Sequence, residues 1–493
     1  MPRRASILLL SLLLTSAARA DVLLLEAARD NDIAAANTRI EQGVDVNGGD
    51  STGATALHWA VYNDSFELVE RLLSAGAEVS RRSQYGSTPI TEAAVVGNVQ
   101  VLEALIEAGA DVNAKGADSQ TPLMIVARTD NTAAAELLID AGADVDARED
   151  WKDQTAIMWA AARGRPDMVR LLAARGADVD ARSRVHEWPR QTTVFPRAKY
   201  LPSGGLTPLL FAAREGCAEC VEALIAAGAD ADLPDPDEVS PLLIATLNAR
   251  FDTAKVLLDA GANPNKWDWW GRTPLYAAVD YNTLPTGGRP DRPSADETTS
   301  LEMIEMLLAA GANPNLQLKL YPPYRNVLDD RGADNMLGIG ATPLLRAARA
   351  GDVAAVELLL IHGALVDLPQ EDDITPLMAA SGLKSYAIDT RGRFVTQADA
   401  LVTIERLLDA GADISAQDEF GQTALHGAAY RGWNDVVSYL VERGADLLIA
   451  DMDGNTPFDA AEGRIRGVGR EANVTTNHVD TARLIESLLA ELR

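Results

Sequence analysis

Aromatic residues, cysteine and positive charge are all scarce in this chain. Aromatic side chains make up 5% of its 493 residues, and it has two cysteines. Two thiols cannot build a disulfide-dense scaffold or a four-thiolate zinc site. Lysine and arginine total 44 against 72 acidic residues, which gives a formal net charge of −28. Such a surface repels phosphate backbones and anionic lipids, so we expect no nucleic-acid partner.

Long apolar runs are also missing, although 47% of the residues are hydrophobic and can supply a globular core. Residues 7–14 form an apolar run that is too short to span a bilayer, and we expect no stable membrane insertion. Arg3 and Arg4 precede this run, and a small-x-small pattern ends at Ala20. This order is typical of a secretory signal peptide, here residues 1–20. We therefore predict export to the periplasm or the extracellular space.

Removing residues 1–20 deletes three arginines and no acid, so the mature net charge is (44 − 3) − 72 = −31. A chain with this charge resists self-association, and both of its ends carry charged side chains. We expect a monomer in isolation.

One motif fills the rest of the chain: Thr or Ser, then Pro or Ala, then an apolar residue. Successive copies are commonly 33 residues apart, and a glycine usually follows 21 residues after the Thr or Ser. These anchor residues are Thr55, Thr88, Thr121, Thr155, Thr207, Ser240, Thr273, Thr342, Thr375, Thr423 and Thr456. A degenerate copy near Val22 brings the number of repeats to about twelve.

Each landmark of the motif has a structural role. The Thr or Ser caps a helix, Pro suits the first helical position, and the glycine ends a second helix. Helices this short are stable only when neighbouring repeats stack. Leucines of the second helices should then be buried, and the ones that we select are Leu224, Leu257, Leu307 and Leu358.

The period and the T-P-L-H-x-A pattern resemble the ankyrin repeat along residues 22–493. This resemblance implies an all-α solenoid of helix-turn-helix repeats with hairpin-like fingers, here residues 21–493, that binds other proteins without catalysis. Only His58 and His426 keep the family histidine. Five insertions interrupt the period, near residues 181–203, 282–299, 316–340, 383–399 and 463–480.

Catalytic, cofactor and metal motifs are lacking. Asp451 and Asp453 begin an EF-hand-like spacing, but the position that needs glycine holds Thr456, and the repeat turn explains the same residues. We expect no enzyme activity, no cofactor and no metal. Cys217 and Cys220 form a C-x-x-C pair at the start of a second helix. A disulfide and two packed free thiols are both open for this pair.

Aromatic residues collect at finger positions just before the anchors and at inner-helix positions seven residues after them. Tyr62 and Tyr430 are the inner-helix cases. The finger cases are Tyr85, Trp151, Trp269, Trp270 and Phe420. The insertions near 181–203 and 316–340, which we call the long fingers, add Trp188, Phe195, Tyr200, Tyr321 and Tyr324. Exposed aromatic clusters commonly mark interaction sites.

These aromatic residues predict a partner-binding groove. We place it over the repeats anchored at Thr207, Ser240 and Thr273, between the two long fingers, with Trp269 and Trp270 on its floor. The surrounding acids favour a neutral or basic protein partner. The alternative function is binding of a carbohydrate or cell-envelope glycan, because exposed aromatic rings also stack on sugars.

Overall fold

The computed structural model describes residues 22–116, 118–187, 203–283, 294, 296–320, 338–383, 396–464 and 477–491. Two compact units make up the chain: an N-terminal unit, residues 1–185 with 204–230, and a C-terminal unit, residues 186–203 with 231–493. The predicted signal peptide lies outside the described residues. Among the described residues, no helix combines the length and the apolar character that a bilayer crossing needs.

Short helices in pairs build the described part of the N-terminal unit. From α3 onward, the odd-numbered helices stack in one row, and from α2 onward the even-numbered helices stack in a second row. They are α1 (22–29), α2 (Ile33–Glu41), α3 (Ala56–Tyr62), α4 (Phe66–Ser74), α5 (Pro89–Val96), α6 (Val99–Glu107), α7 (Pro122–Val126), α8 (Thr132–Asp140), α9 (Ala156–Ala162), α10 (Pro166–Ala174), α11 (Pro208–Glu215) and α12 (Ala218–Ala226).

The C-terminal unit is likewise built from two rows of short helices of its own. Its helices are α13 (Pro241–Leu247), α14 (Phe251–Asp259), α15 (Pro274–Asn282), α16 (Ser300–Ala309), α17 (Pro343–Arg349), α18 (Val353–Ile361), α19 (Pro376–Ala380), α20 (Gln397–Asp409), α21 (Ala424–Arg431), α22 (Asn434–Glu442), α23 (Pro457–Ala461) and α24 (Val479–Glu491). The described residues contain two isolated β-bridges and no strand. The prediction of an all-α fold with about twelve helix-turn-helix repeats is confirmed.

The anchor residues occupy the N-cap position of the first helices, and most of them accept a hydrogen bond there from the helix backbone. At α11, the hydroxyl of Thr207 accepts a hydrogen bond from the backbone N–H of Leu210 at 3.2 Å, and Pro208 takes the first helical position. Gly76, just after α4, has a φ of +89°, a conformation that glycine adopts without a Cβ clash. The cap and the glycine explain why the chain reverses direction at fixed intervals.

An asparagine ladder joins successive repeats. The side chain of Asn113 donates to the carbonyl oxygen of Gly142 at 3.1 Å and accepts from the backbone N–H of Asp144 at 2.8 Å. Two repeats earlier, Asn47 makes the same pair of bonds to Gly76 and Glu78. Each such side chain satisfies backbone groups left open at the end of a helix in the following repeat.

The core lies between the two rows of helices. Leu224, Leu257 and Leu307 are completely buried, as predicted. The prediction for Leu358 is wrong, because that side chain is partly exposed and its neighbour Leu359 is completely buried. The buried position is four residues before the glycine that follows the helix, and this spacing selects Leu359 in α18.

Backbone hydrogen bonds join the two chain segments at the root of each long finger. In the first, the backbone N–H of Ser183 donates to the carbonyl of Leu206 at 3.0 Å. In the second, Leu318 donates to Ala341 at 3.0 Å. Backbone groups at the root of each insertion are therefore satisfied, which fixes where the finger leaves the stack.

Candidate partner-binding surfaces

Three of the predicted finger residues are exposed. The exposed fraction is 66% for Tyr85, 75% for Trp151 and 48% for Phe420. Trp151 carries the ammonium of Lys152 over its ring, 4.7 Å from the centroid. Exposure makes these residues available to a partner, and their role in binding stays a prediction.

The prediction that Trp270 forms an exposed groove floor is wrong. Trp270 is 4% exposed, because the next finger crosses it: the backbone N–H groups of Lys319 and Leu320 donate to its carbonyl at 2.8 and 3.2 Å. The guanidinium of Arg272 also stacks on its ring at 5.1 Å. Trp269 is partly buried. The exposed indole of this cluster is Trp267, which is 46% exposed.

The aromatic residues of the long fingers lie outside the described residues. They are Trp188, Phe195, Tyr200, Tyr321 and Tyr324. The structure contradicts the place given to Trp270 in the predicted groove. The rest of the groove stays a prediction.

We call the odd-numbered helices, which follow the anchor residues, the inner helices. In the N-terminal unit they carry an exposed apolar face, the α3–α5 face. Tyr62 on α3 is 63% exposed and meets Trp59 edge-on, with ring centroids 5.9 Å apart. On α5, Val95 is 65% exposed and Val96 is 36% exposed. The aromatic pattern of the sequence predicted Tyr62 but not the two valines, whose positions seven and eight residues after Thr88 were the available signal.

Positive charge adjoins Trp159 on α9 of the same unit. The guanidinium of Arg128 lies 5.2 Å from the centroid of the Trp159 ring, a cation–π contact. In the described part of the chain, Arg128 has no carboxylate within ion-pair distance. The inner row therefore presents an aromatic ring together with a cation at α9.

On α15 and α17 of the C-terminal unit, inner-helix positions that are open on α3 and α5 are closed. Asp280 on α15 and Arg346 on α17 are each 1% exposed and form an ion pair at 2.8 Å. Arg349, seven residues after its anchor, is 7% exposed. These three charged residues form a buried polar cluster.

Titratable groups of the repeat turns serve structure. The Nδ1 atom of His58 lies 3.2 Å from the backbone N of Thr55, and burial lowers the pKa of the imidazole below its usual value. The neutral ring accepts this hydrogen bond and donates through Nε2 toward Ser87. Burial similarly lowers the pKa of His426. Both histidines are accounted for by helix capping.

Acidic turn residues also lie in buried surroundings. Burial raises the pKa of Asp235 to about 6. Burial also raises the pKa of Asp268, against the effect of the neighbouring Arg272 guanidinium at 2.5 Å. Within the described ranges, no group of three or more His, Cys, Asp or Glu side chains could hold a metal ion.

Cys217 and Cys220 are joined by a disulfide in the structure, with Cα atoms 5.2 Å apart. Cys217 is also the N-cap of α12, and its sulfur accepts from the backbone N–H of Cys220 at 3.2 Å. The pair thus closes the first turn of a helix.

Comparison with known proteins identifies the repeated unit. A family model described as ankyrin repeats in three copies matches residues 24–116, 112–183, 209–318 and 395–468, and a single-repeat model matches residues 339–370. Human transient receptor potential cation channel subfamily A member 1 is 30% identical over 244 residues, 49% of this chain and 18% of that protein. Human ankyrin repeat and SOCS box protein 16 is 30% identical over 255 residues, 52% of this chain and 47% of that protein.

These similarities cover only part of each relative. The E3 ubiquitin-protein ligase KEG of Arabidopsis thaliana is 29% identical over 285 residues, 53% of this chain and 16% of that protein. The chain spans between 16% and 47% of the curated relatives it is compared with. Among solved structures, the human ASB11 ankyrin repeat domain is 24% identical with a TM-score of 0.41, covering 49% of this chain and 98% of that chain.

Proposed function

The chain belongs to the ankyrin-repeat family, and we propose that it is an exported, non-enzymatic scaffold that binds another protein. The observation that carries the proposal is the α3–α5 face. It exposes Tyr62, Val95 and Val96 side by side on neighbouring inner helices, beside the half-buried ring of Trp59. Apolar groups at this density on a surface are typical of protein interfaces.

The charge of the chain narrows the choice of partner. The mature chain carries −31, from (44 − 3) − 72, and long-range repulsion slows the approach of another acidic protein. A neutral or basic protein suits this field. Its contact residues should include apolar side chains that cover Tyr62 and Val95.

Export is supported by the order of charges and apolar residues in 1–20. Cleavage after Ala20 would leave Asp21 as the first residue of the mature chain. Intact-mass measurement of the protein from the envelope or culture medium is the test. A mass that includes residues 1–20 would contradict the proposal.

The double substitution Tyr62→Ala with Val95→Ser should weaken partner binding at least about tenfold, because a hot-spot aromatic at the centre of an interface contributes about 2 kcal/mol or more. The partner is first isolated by crosslinking to the full chain in the envelope fraction and is then titrated in purified form. The thermal midpoint should stay unchanged, since both side chains are mostly exposed.

The matched control is Ile361→Ala with Leu448→Ala. These side chains are 78% and 69% exposed and lie in the C-terminal unit, so the control removes a similar apolar area elsewhere. Equal affinity of the Tyr62 and Val95 variant and the wild type would contradict the proposed surface. Retention of the chain on envelope glycan without any bound polypeptide would favour the alternative function.

A further inference from the structure

A cavity of about 420 Å³ lies within the C-terminal unit, between the fingers that precede the anchors of α15 and α17. Trp267 and Lys319 stand on its wall, and Leu316, Gln317 and Ile339 also line it. This volume is within the range of small-molecule sites in proteins, roughly 300–1,000 Å³. The cavity is separate from the α3–α5 face, and the inference below does not depend on protein binding.

The cavity walls are held by hydrogen bonds between fingers. The backbone N–H of Lys319 donates to the carbonyl of Trp270 at 2.8 Å. The side-chain Nε2 of Gln317 donates to the carbonyls of Gly340 and Pro369, each at 2.8 Å. A ligand would therefore meet lining residues that are already held in place.

The wall combines three kinds of recognition group. The Trp267 indole is 46% exposed and offers a flat apolar surface. The ammonium of Lys319 lies 4.1 Å from the centroid of that ring, and among the described residues it forms no ion pair. Nε2 of Gln317 is used on two carbonyls, so this side chain can offer a ligand only its Oε1 atom, as an acceptor, and Oε1 accepts no hydrogen bond from the described residues.

We propose that this cavity binds one ring of an acidic sugar. Lys319, which lies over one face of the Trp267 ring, pairs with the carboxylate, the part of the indole surface that Lys319 leaves uncovered packs against the apolar face of the sugar ring, and Oε1 of Gln317 accepts from a hydroxyl. An aromatic carboxylate would use the indole and Lys319 but would leave the Gln317 acceptor without a donor. A neutral sugar would leave the Lys319 charge without a partner. The acidic sugar uses all three groups together.

Isothermal titration calorimetry of the full chain with sodium glucuronate, glucose and benzoate tests the assignment. Glucuronate should bind, and glucose and benzoate should bind at least about tenfold more weakly, because each lacks one of the matched groups. Lys319→Gln should remove the preference for glucuronate over glucose, and Lys319→Arg should keep it. Trp267→Ala should abolish binding of all three compounds.

The matched control is Trp151→Ala in the N-terminal unit. Trp151 also has a lysine over its ring, but it stands 75% exposed on a finger tip and is not part of the cavity wall. Glucuronate affinity should be unchanged in this variant. Absence of glucuronate binding to the wild type, binding of benzoate as tight as that of glucuronate, or unchanged binding in Trp267→Ala would each overturn the proposal. Circular dichroism of each variant checks that the stack is folded.

Discussion

Replacing Arg346 by methionine is expected to destabilise the C-terminal unit by about 3–5 kcal/mol. The guanidinium is 1% exposed and pairs at 2.8 Å with the carboxylate of Asp280, which is also 1% exposed. Methionine has a similar length but no charge, so the variant keeps a buried carboxylate that has lost this cation. The cost comes mainly from that carboxylate, because removing a cation from a buried ion pair is strongly unfavourable. Urea unfolding followed by circular dichroism measures the change.

Two further variants make this prediction specific to the buried pair. Arg346→Met combined with Asp280→Leu removes both charges and should recover most of the lost stability, since an apolar pair can replace a buried ion pair. Arg443→Met removes a surface pair with Asp409, whose side chains are 35% and 55% exposed, and should cost at most about 1 kcal/mol. If the single and double variants at the buried pair were equally unstable, lost packing and not the loss of the ion pair would be the cause.

Truncation of Leu257 to alanine is expected to cost about 2–5 kcal/mol, because the side chain is completely buried on α14 and its removal leaves a cavity. Leu358→Ala on α18 is the matched control. It removes the same atoms from a second-row helix, but this leucine is partly exposed, so neighbouring side chains and water can fill the space.

The difference between the two leucine variants is the measurement that matters. Chemical unfolding should show a larger loss for Leu257→Ala than for Leu358→Ala by about 1 kcal/mol or more. Leu359→Ala, at the buried position next door, should resemble Leu257→Ala. Equal losses at positions 358 and 359 would contradict the assignment of the buried face of α18.

The fold could be predicted because its information is local and repeated. A threonine cap such as Thr207 and a terminal glycine such as Gly76 act on the same helix, so each copy of the motif repeats the same evidence. The error at Leu358 has the same origin. Two adjacent leucines, Leu358 and Leu359, both fit an apolar helix, and only the distance to Gly363 decides which of them faces the core.

The candidate sites were harder to predict, because they depend on contacts between distant parts of the chain. Trp270 is buried by backbone groups of Lys319 and Leu320, about fifty residues later. The Asp280 pair with Arg346 spans 66 residues. Trp270 alone fitted an exposed finger position of its repeat. The pattern within one repeat cannot show what a neighbouring insertion or helix covers.

The asparagine ladder explains how this chain can grow in length without losing alignment. The bond from Leu365 to the side chain of Asn315 spans 50 residues, and the equivalent bond from Asp144 to Asn113 spans 31. The distances, 2.7 and 2.8 Å, are almost the same. The junction between the repeats therefore keeps its geometry although more residues separate its two ends. Junctions of this kind accept insertions without a change in how the repeats are aligned. They are therefore suitable places to insert a foreign loop.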